Sequence, residues 1–232
     1  MSNYCIIPAR GGSKRIPRKN IKIFAGRPII TYAINAAIES KIFDDVIVST
    51  DDEEIKEIAL EYGASVPFLR SNKNSNDQAT TFDALKEVVN WLESNHKIKI
   101  NSICCFYPCS PMIRSNELIK ANKLFKDSMA GSLIPIINYS HPIQRALKLS
   151  EGSFLSMVNK KNYLKRTQDL DETFYDAGQF YFFKRDVIKK FNGPFESTVV
   201  GYEIDPLLAQ DIDNESDWRI AEIKYKILNE IS

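Results

Sequence analysis

Four short apolar runs, at residues 4–8, 45–50, 102–107 and 131–137, recur through the first two-thirds of the chain, and stretches of helical spacing separate them. Predominantly apolar runs of strand length suit a sheet covered on both faces, the arrangement parallel strands require. After Pro28, a residue suited to a first helical turn, Ile30, Ala33, Ile34, Ala37 and Ile38 fall at helical spacing up to about residue 43. Asp51 and Asp52 supply capping oxygens for a second helix with Ile55, Ile58, Ala59 and Tyr62 on one face, and Gly63 stops it. Residues 65–70 make a candidate strand interrupted by Pro67, and residues 71–77 read as a polar loop. Thr80 or Thr81 caps a helix to about residue 95, with Leu85, Val88, Val89 and Leu92 facing inward, and Ser115 with Asn116 starts another. Alternation of this kind predicts an α/β layered domain. Ligands of open α/β sheets bind in the loops at the carboxyl ends of the strands.

From residue 138 to residue 175 the periodicity lapses and Lys, Ser and Asn become frequent. Leu147, Leu149, Phe154, Leu155 and Met157 persist there, so the segment reads as an inserted lobe or arm of one domain spanning residues 1–232. Beyond it, residues 175–183 and 199–204 read as strands and residues 214–231 as a long amphipathic helix.

Charge narrows the function. Lys plus Arg total 31 and Asp plus Glu total 30, a balance without the basic excess of a general nucleic-acid binder. No apolar run approaches the ~20 residues that cross a bilayer, and residues 1–8 carry no basic leader, so a cytoplasmic protein with neither nucleic-acid nor membrane partner is expected. Cys5, Cys104, Cys105 and Cys109 fit that compartment as reduced thiols. With only His96 and His141 beside them and no C-x-x-C, they do not make a zinc site.

One loop stands apart. Directly after the first strand comes Pro8-Ala9-Arg10-Gly11-Gly12-Ser13-Lys14-Arg15-Ile16-Pro17-Arg18-Lys19-Asn20. The two glycines permit close backbone approach, successive N–H groups in such turns form anion-binding concavities, and Arg10, Lys14, Arg15, Arg18 and Lys19 concentrate positive charge. Arg chelates phosphate oxygens while Lys acts as a mobile point charge, so a polyphosphate is the expected ligand. The loop is neither a Walker A sequence nor G-x-G-x-x-G. Late in the chain, Asp211-Ile212-Asp213 would put two carboxylates on one face of an extended segment, a pair able to meet one hard cation. Asp169-Leu170-Asp171 has the same spacing.

The loop resembles the signature of the nonulosonic-acid cytidylyltransferases, which join CTP to sialic acid and its relatives, and among them the pseudaminic acid branch. The resemblance runs from Tyr4 to about Trp218. It implies a three-layer α/β/α Rossmann-like nucleotidyltransferase with a mostly parallel mixed sheet, an inserted dimerisation lobe, a homodimer and Mg²⁺ as cofactor. It assigns the metal to Asp211 and Asp213, catalysis to these with Arg10 and Lys19, and nucleotide contacts to Ala9, Arg10, Gly11, Gly12, Ser13, Lys19, Asn20, Arg70, Ala79 and Thr81. The sugar acid falls to Tyr107, Ser110, Arg166, Gln168, Asp176, Gly178 and Gln179, with Arg166 meeting its carboxylate. Residues 107–111 read Tyr-Pro-Cys-Ser-Pro where sialic acid members carry Gln-Pro-Thr-Ser-Pro, a departure that points away from sialic acid itself. Cytidylyltransferases for N-acetylneuraminic, legionaminic or 3-deoxy-octulosonic acid are the alternatives within the class, the last less suited because its glycine-rich loop lacks the Gly-Gly-Ser-Lys form. A non-catalytic phosphate or nucleic-acid binding module is the alternative outside it.

Overall fold

The computed structural model describes residues 2–76, 78–96 and 98–230; Asp77 of the polar loop and Ile231 at the expected helix end lie outside them. In chain order the elements are β1 (Ser2–Pro8), β2 (Ile23–Phe24), β3 (Arg27–Pro28), α1 (Ile30–Ser40), β4 (Asp45–Ser49), α2 (Glu53–Glu61), α3 (Asn72–Ser75), α4 (Thr81–His96), β5 (Ile100–Phe106), α5 (Ser115–Asp127), β6 (Ser132–Asn138), β7 (Leu147–Leu149), β8 (Leu155–Met157), β9 (Phe174–Asp176), β10 (Phe180–Lys184), α6 (Arg185–Lys190), β11 (Val199–Glu203) and α7 (Glu215–Glu230). Single 3₁₀ turns fill several connections, among them Lys19–Ile21.

The main sheet has the order β11-β6-β10-β5-β1-β4, with β9 added along β6. Strands β4, β1, β5, β6 and β11 run one way, and β10 and β9 oppose them. The sheet is therefore mixed: among the described residues, five of its seven strands share one direction, and three of its six pairings are parallel. Its faces divide by strand alternation. Cys5, Ile7, Val46, Val48, Cys104, Phe106, Phe180 and Phe182 face α1, α2 and α5, while Tyr4, Ile6, Ile47, Ile103, Cys105, Tyr181 and Phe183 face α4 and α6. That makes three layers. A further cluster joins Ile16, Phe24, Tyr32, Ile212 and Trp218, which seats α7 on the basic loop. Each such fully buried apolar side chain contributes about 1.5–3 kcal/mol relative to exposure.

Several sequence expectations change. Residues 65–70 do not form a strand: Ser65 alone bridges β4, donating to Val46 O and accepting from Val48 N. The next parallel rung needs an N–H at position 67, and Pro67 has none. Residues 175–183 are two strands, because Asp176 opposes Ile136 while Phe182 opposes Leu133, leaving residues 177–181 against 134–135 in a wide bulge. Pro28 belongs to β3, and α1 starts at Ile30, with Ile38 exposed at its far end. Residues 72–75 form a short helical turn inside the expected loop. Asp52 alone caps α2, accepting from Ile55 N, since Asp51 is drawn to the basic loop. Thr80 and Asp83 exchange hydrogen bonds at the start of α4, a reciprocal capping box. Between β6 and β9 the lobe consists of 3₁₀ turns and the small β7–β8 hairpin.

Candidate active site

The basic loop is pinned at alternating places. Ala9, fully buried, donates its N–H to Ser49 O at 2.9 Å. Gly11 N donates to Asp51 Oδ1 at 2.9 Å, and a Cβ on Gly11 would lie 2.5 Å from Asp52 Oδ2, so this close approach requires glycine. Gly12 faces open space. Ile16 is buried in the cluster under α7. Arg18, at φ 55°, reaches back to Asp52 and Glu54 at the start of α2, which raises its own pKa and holds the Asp52 carboxyl below the usual range. Asn20 Nδ2 donates to Arg10 O at 2.9 Å, closing the loop on itself.

The residues between these pins, Arg10, Ser13, Lys14, Arg15 and Lys19, line a cavity of about 650 Å³. Its opposite wall is Gln210, Asp211 and Ile212. Ile212 is only 2% exposed, so it anchors the segment, and the carboxylates on either side are left near the surface. Asp217, in the first turn of α7, accepts the N–H groups of Asp213 at 2.9 Å and Asn214 at 3.1 Å and fixes the turn. Lys19 Nζ donates to Ile212 O at 2.6 Å and stands 3.9 Å from Asp213 Oδ1, and Arg15 pairs with Asp213. The Asp211 carboxyl is pushed up, first by partial burial and then by the Asp213 charge, with Lys19 opposing. Among the described residues it has no hydrogen-bond partner. Two mutually repelling carboxylates, one of them unmatched, fit a hard divalent cation. Among the described residues no group of three or more His, Cys, Asp or Glu side chains gathers to hold a metal. A cation at this pair would draw its remaining ligands from substrate oxygens and water, as magnesium does.

The floor is Tyr107, Pro108 and Cys109 at the end of β5, with Gly178 and Tyr181 from the bulge. Bulges re-aim side chains where a sheet meets a site, and Gly178 takes the left-handed φ of 63° that the turn needs. Asp176 holds the turn by accepting from Gly178 N and from the Tyr181 hydroxyl, both at 2.9 Å. Tyr107 and Tyr181, edge to face at 5.6 Å, separate the large cavity from a second of about 330 Å³. Burial pushes the Tyr107 hydroxyl up to about 12. The second cavity is mainly apolar, with Phe82, Phe183, Pro194 and Phe195, and carries polar groups from Thr81, Asp176 and Asn192.

Of the residues singled out in the sequence, Arg10, Ser13, Lys19, Asn20, Tyr107, Gly178 and Asp211 line the large cavity, and Thr81, Asp176 and Tyr107 the smaller one. Asp213 stands beside the first through Arg15 and Lys19. Ala9, Gly11 and Gly12 shape the loop without lining either cavity. Arg70 is buried, and that burial lowers its pKa; its guanidinium donates to Ser49, and Ala79 is held by Asn76. Ser110 and Gln179 are each 1% exposed and lie beneath the floor, where Ser110 Oγ donates to Gln179 O. This chain does not present them to either cavity. Arg166 and Gln168 sit in the lobe, Arg166 paired to Asp169, and reach neither cavity of their own chain. Tyr181 was not legible as a site residue; its signal is the alternation that puts it opposite Phe180 and Phe182.

Residues 4–204 match the cytidylyltransferase family. The chain is 41% identical to a protein named pseudaminic acid cytidylyltransferase from Campylobacter jejuni, over 99% of both chains. It is 32% identical to an N-acylneuraminate cytidylyltransferase from Streptococcus agalactiae, over 94% of this chain and 52% of that one. Among solved structures, CMP:2-keto-3-deoxy-manno-octonic acid synthetase complexed with CTP superposes with a TM-score of 0.70 at 17% identity, over 99% of this chain and 100% of the other, a likeness of fold.

Proposed function

From membership of the cytidylyltransferase family, to which this chain belongs, we propose that it transfers CMP from CTP to the anomeric hydroxyl of a nine-carbon keto-sugar acid, pseudaminic acid in the first instance. The observation that carries the reading is a single cavity with Arg10, Lys14, Arg15 and Lys19 on one wall and Asp211 on the other. Such a cavity suits a triphosphate on its cationic side and a metal on its acidic side.

The reaction joins two anions, so charge neutralisation and alignment dominate it. The basic loop receives the triphosphate, with Arg10 and Lys19 neutralising charge that grows on the β- and γ-phosphates as the bond to the α-phosphorus breaks. The anomeric oxygen forms the new bond to that phosphorus, its proton passes to solvent water, and pyrophosphate leaves with the electrons of the broken bond. Asp211 and Asp213 are the residues that hold Mg²⁺, a group that supplies Lewis-acid charge to phosphate oxygens when bound. Lys19 ties the loop to the acidic segment through Ile212 O and keeps the two walls in register. The sugar acid lies across Tyr107 and Tyr181, and the smaller cavity takes an acylamino group, its methyl against Phe195 and Pro194 and its N–H towards Asp176.

The lobe exposes apolar side chains, with Leu164 88% and Phe154 74% exposed. A second copy covering this face gives a homodimer, and it would carry Arg166 and Gln168 towards the partner's sugar site, since they do not reach their own. A cytoplasmic enzyme is in keeping with the reduced cysteines; no helix among the described residues is long and apolar enough to cross a membrane. The test is pyrophosphate release from CTP and Mg²⁺ with pseudaminic, legionaminic and N-acetylneuraminic acids in parallel. Preference for pseudaminic acid supports the reading. Preference for another transfers it to that branch, and absence of CTP binding overturns it.

A further inference from the structure

Cys109 occupies a fixed point of the cavity floor. Pro108 and Pro111 flank its turn, and Ser110 ties that turn to the bulge through Gln179 O. Its Sγ lies 3.4 Å from Asn20 Oδ1. Asn20 is 7% exposed and sits in the 3₁₀ turn that ends the basic loop. Its carboxamide has a donor end and an acceptor end. The donor end is committed to Arg10 O at 2.9 Å, which leaves the acceptor end facing the sulfur. A hydrogen bond between these groups requires the thiol to donate. Three residues are thereby linked in series: Cys109 on the sheet, Asn20 at the end of the loop and the Arg10 backbone at its start. Both ends of the cationic wall, Arg10 and Lys19, adjoin this link.

We propose that Cys109 is a positioning residue for CTP, its thiol proton orienting the Asn20 carboxamide that holds Arg10 and so fixing the basic loop over the floor. The inference rests on the proposed use of that loop for the triphosphate. The thiol stays protonated across the neutral range, because burial pushes it up to about 12. Cys5, Cys104 and Cys105 are buried in the sheet and line neither cavity, so Cys109 alone among the four cysteines stands at the site.

The experiment compares wild type with Cys109→Val, Cys109→Ala, Cys109→Ser and Asn20→Asp, measuring CTP affinity calorimetrically and KM against kcat for pyrophosphate release. Valine fills the space of the thiol without a proton, alanine removes both, and serine keeps a donor. Asn20→Asp retains the acceptor for Cys109 but loses the donor to Arg10. The expected result is a rise of about fivefold in KM for CTP in Cys109→Val, Cys109→Ala and Asn20→Asp, the scale of one hydrogen bond. In Cys109→Val and Cys109→Ala, kcat stays within about twofold and KM for the sugar acid is unchanged, and Cys109→Ser recovers most of the CTP affinity. A packing role alone would lower the melting temperature of Cys109→Ala and spare the KM of Cys109→Val. Wild-type CTP affinity in Cys109→Val, or equal loss in Cys109→Ser, overturns the inference. A wild type that binds no CTP instead removes the reading on which it rests, so the two failures are distinct.

Discussion

Arg15 Nη1 lies 2.6 Å from Asp213 Oδ2, a contact that joins the basic loop to the acidic segment 198 residues further along the chain. The Arg15 side chain is 70% exposed, and exposed pairs contribute only about 0.2–1 kcal/mol, so an arriving cation can displace it. On the proposed metal site, Arg15 and Mg²⁺ would compete for one carboxylate. Arg15→Ala is expected to lower the half-saturating Mg²⁺ about two- to fivefold while raising KM for CTP. A metal titration of pyrophosphate release reads both. A metal dependence that does not move would place the cation away from Asp213.

The two glycines of the loop should separate cleanly. Gly11→Ala drives a methyl into Asp52 and strains the Asp51 contact, an overpacking that costs about 1–3 kcal/mol. Its melting temperature should fall by several degrees, whereas Gly12→Ala, with open space around it, should melt within about a degree of wild type. Differential scanning calorimetry without nucleotide makes the comparison.

Asp52 caps α2 and holds Arg18, and the Arg18 hydrogen bond is the first cause of its lowered pKa. The folded pKa lies below the unfolded one, so the stabilisation is present above the unfolded value and is lost as pH falls through the folded value. Asp52→Ala should therefore cost about 1 kcal/mol at neutral pH. The gap between variant and wild type should close as pH drops below about 4. Urea unfolding at a series of pH values measures it, and a gap that widens in acid would contradict the assignment.

Leu149 and Leu155 face one another across the lobe hairpin and are 66% and 65% exposed. Changing both to Asp should convert the proposed dimer to a monomer in sedimentation velocity and leave the melting of the sheet core nearly unchanged. A wild type that sediments as a monomer at high concentration would remove the dimer.

What could be read in advance follows from the range of the forces involved. The strand–helix alternation, the caps at Asp52 and Thr80 and the basic loop after β1 are local, and periodicity or turn chemistry records them. Spacing alone does not tell Asp211–Ile212–Asp213 from Asp169–Leu170–Asp171; the family resemblance separates them, and of these acids only Asp211 lines the large cavity. The bulge at 177–181 was not, since it arises from β10 pairing with β5 as well as β6, and an aromatic run looks continuous whichever neighbour it meets. Ser110 and Gln179 are assigned to the sugar by the family resemblance alone, and a resemblance carries no burial; both are buried, with Ser110 Oγ donating to Gln179 O. Asp51 reads as a cap because an Asp ahead of a helical stretch ordinarily offers its oxygen to that helix, whereas its partner Gly11 lies 40 residues away.

The strand β10 lies between β5 and β6 and is antiparallel to both, although it follows them in the chain. Until residues 180–184 arrive, the half-sheet of β4, β1 and β5 has no partner on that side, and β6 can meet only β9. A chain emerging from the ribosome amino end first can thus settle the phosphate loop on β1 and β4 early. It cannot join the two half-sheets until most of its length is available. Loop closure over such separations is slow compared with local helix formation. The floor that carries Tyr181, and the late segment that carries Asp211, complete the cavity at this seam. Catalytic competence is therefore tied to late long-range closures of the fold, and a chain truncated before β10 would hold a cationic loop with nothing opposite it.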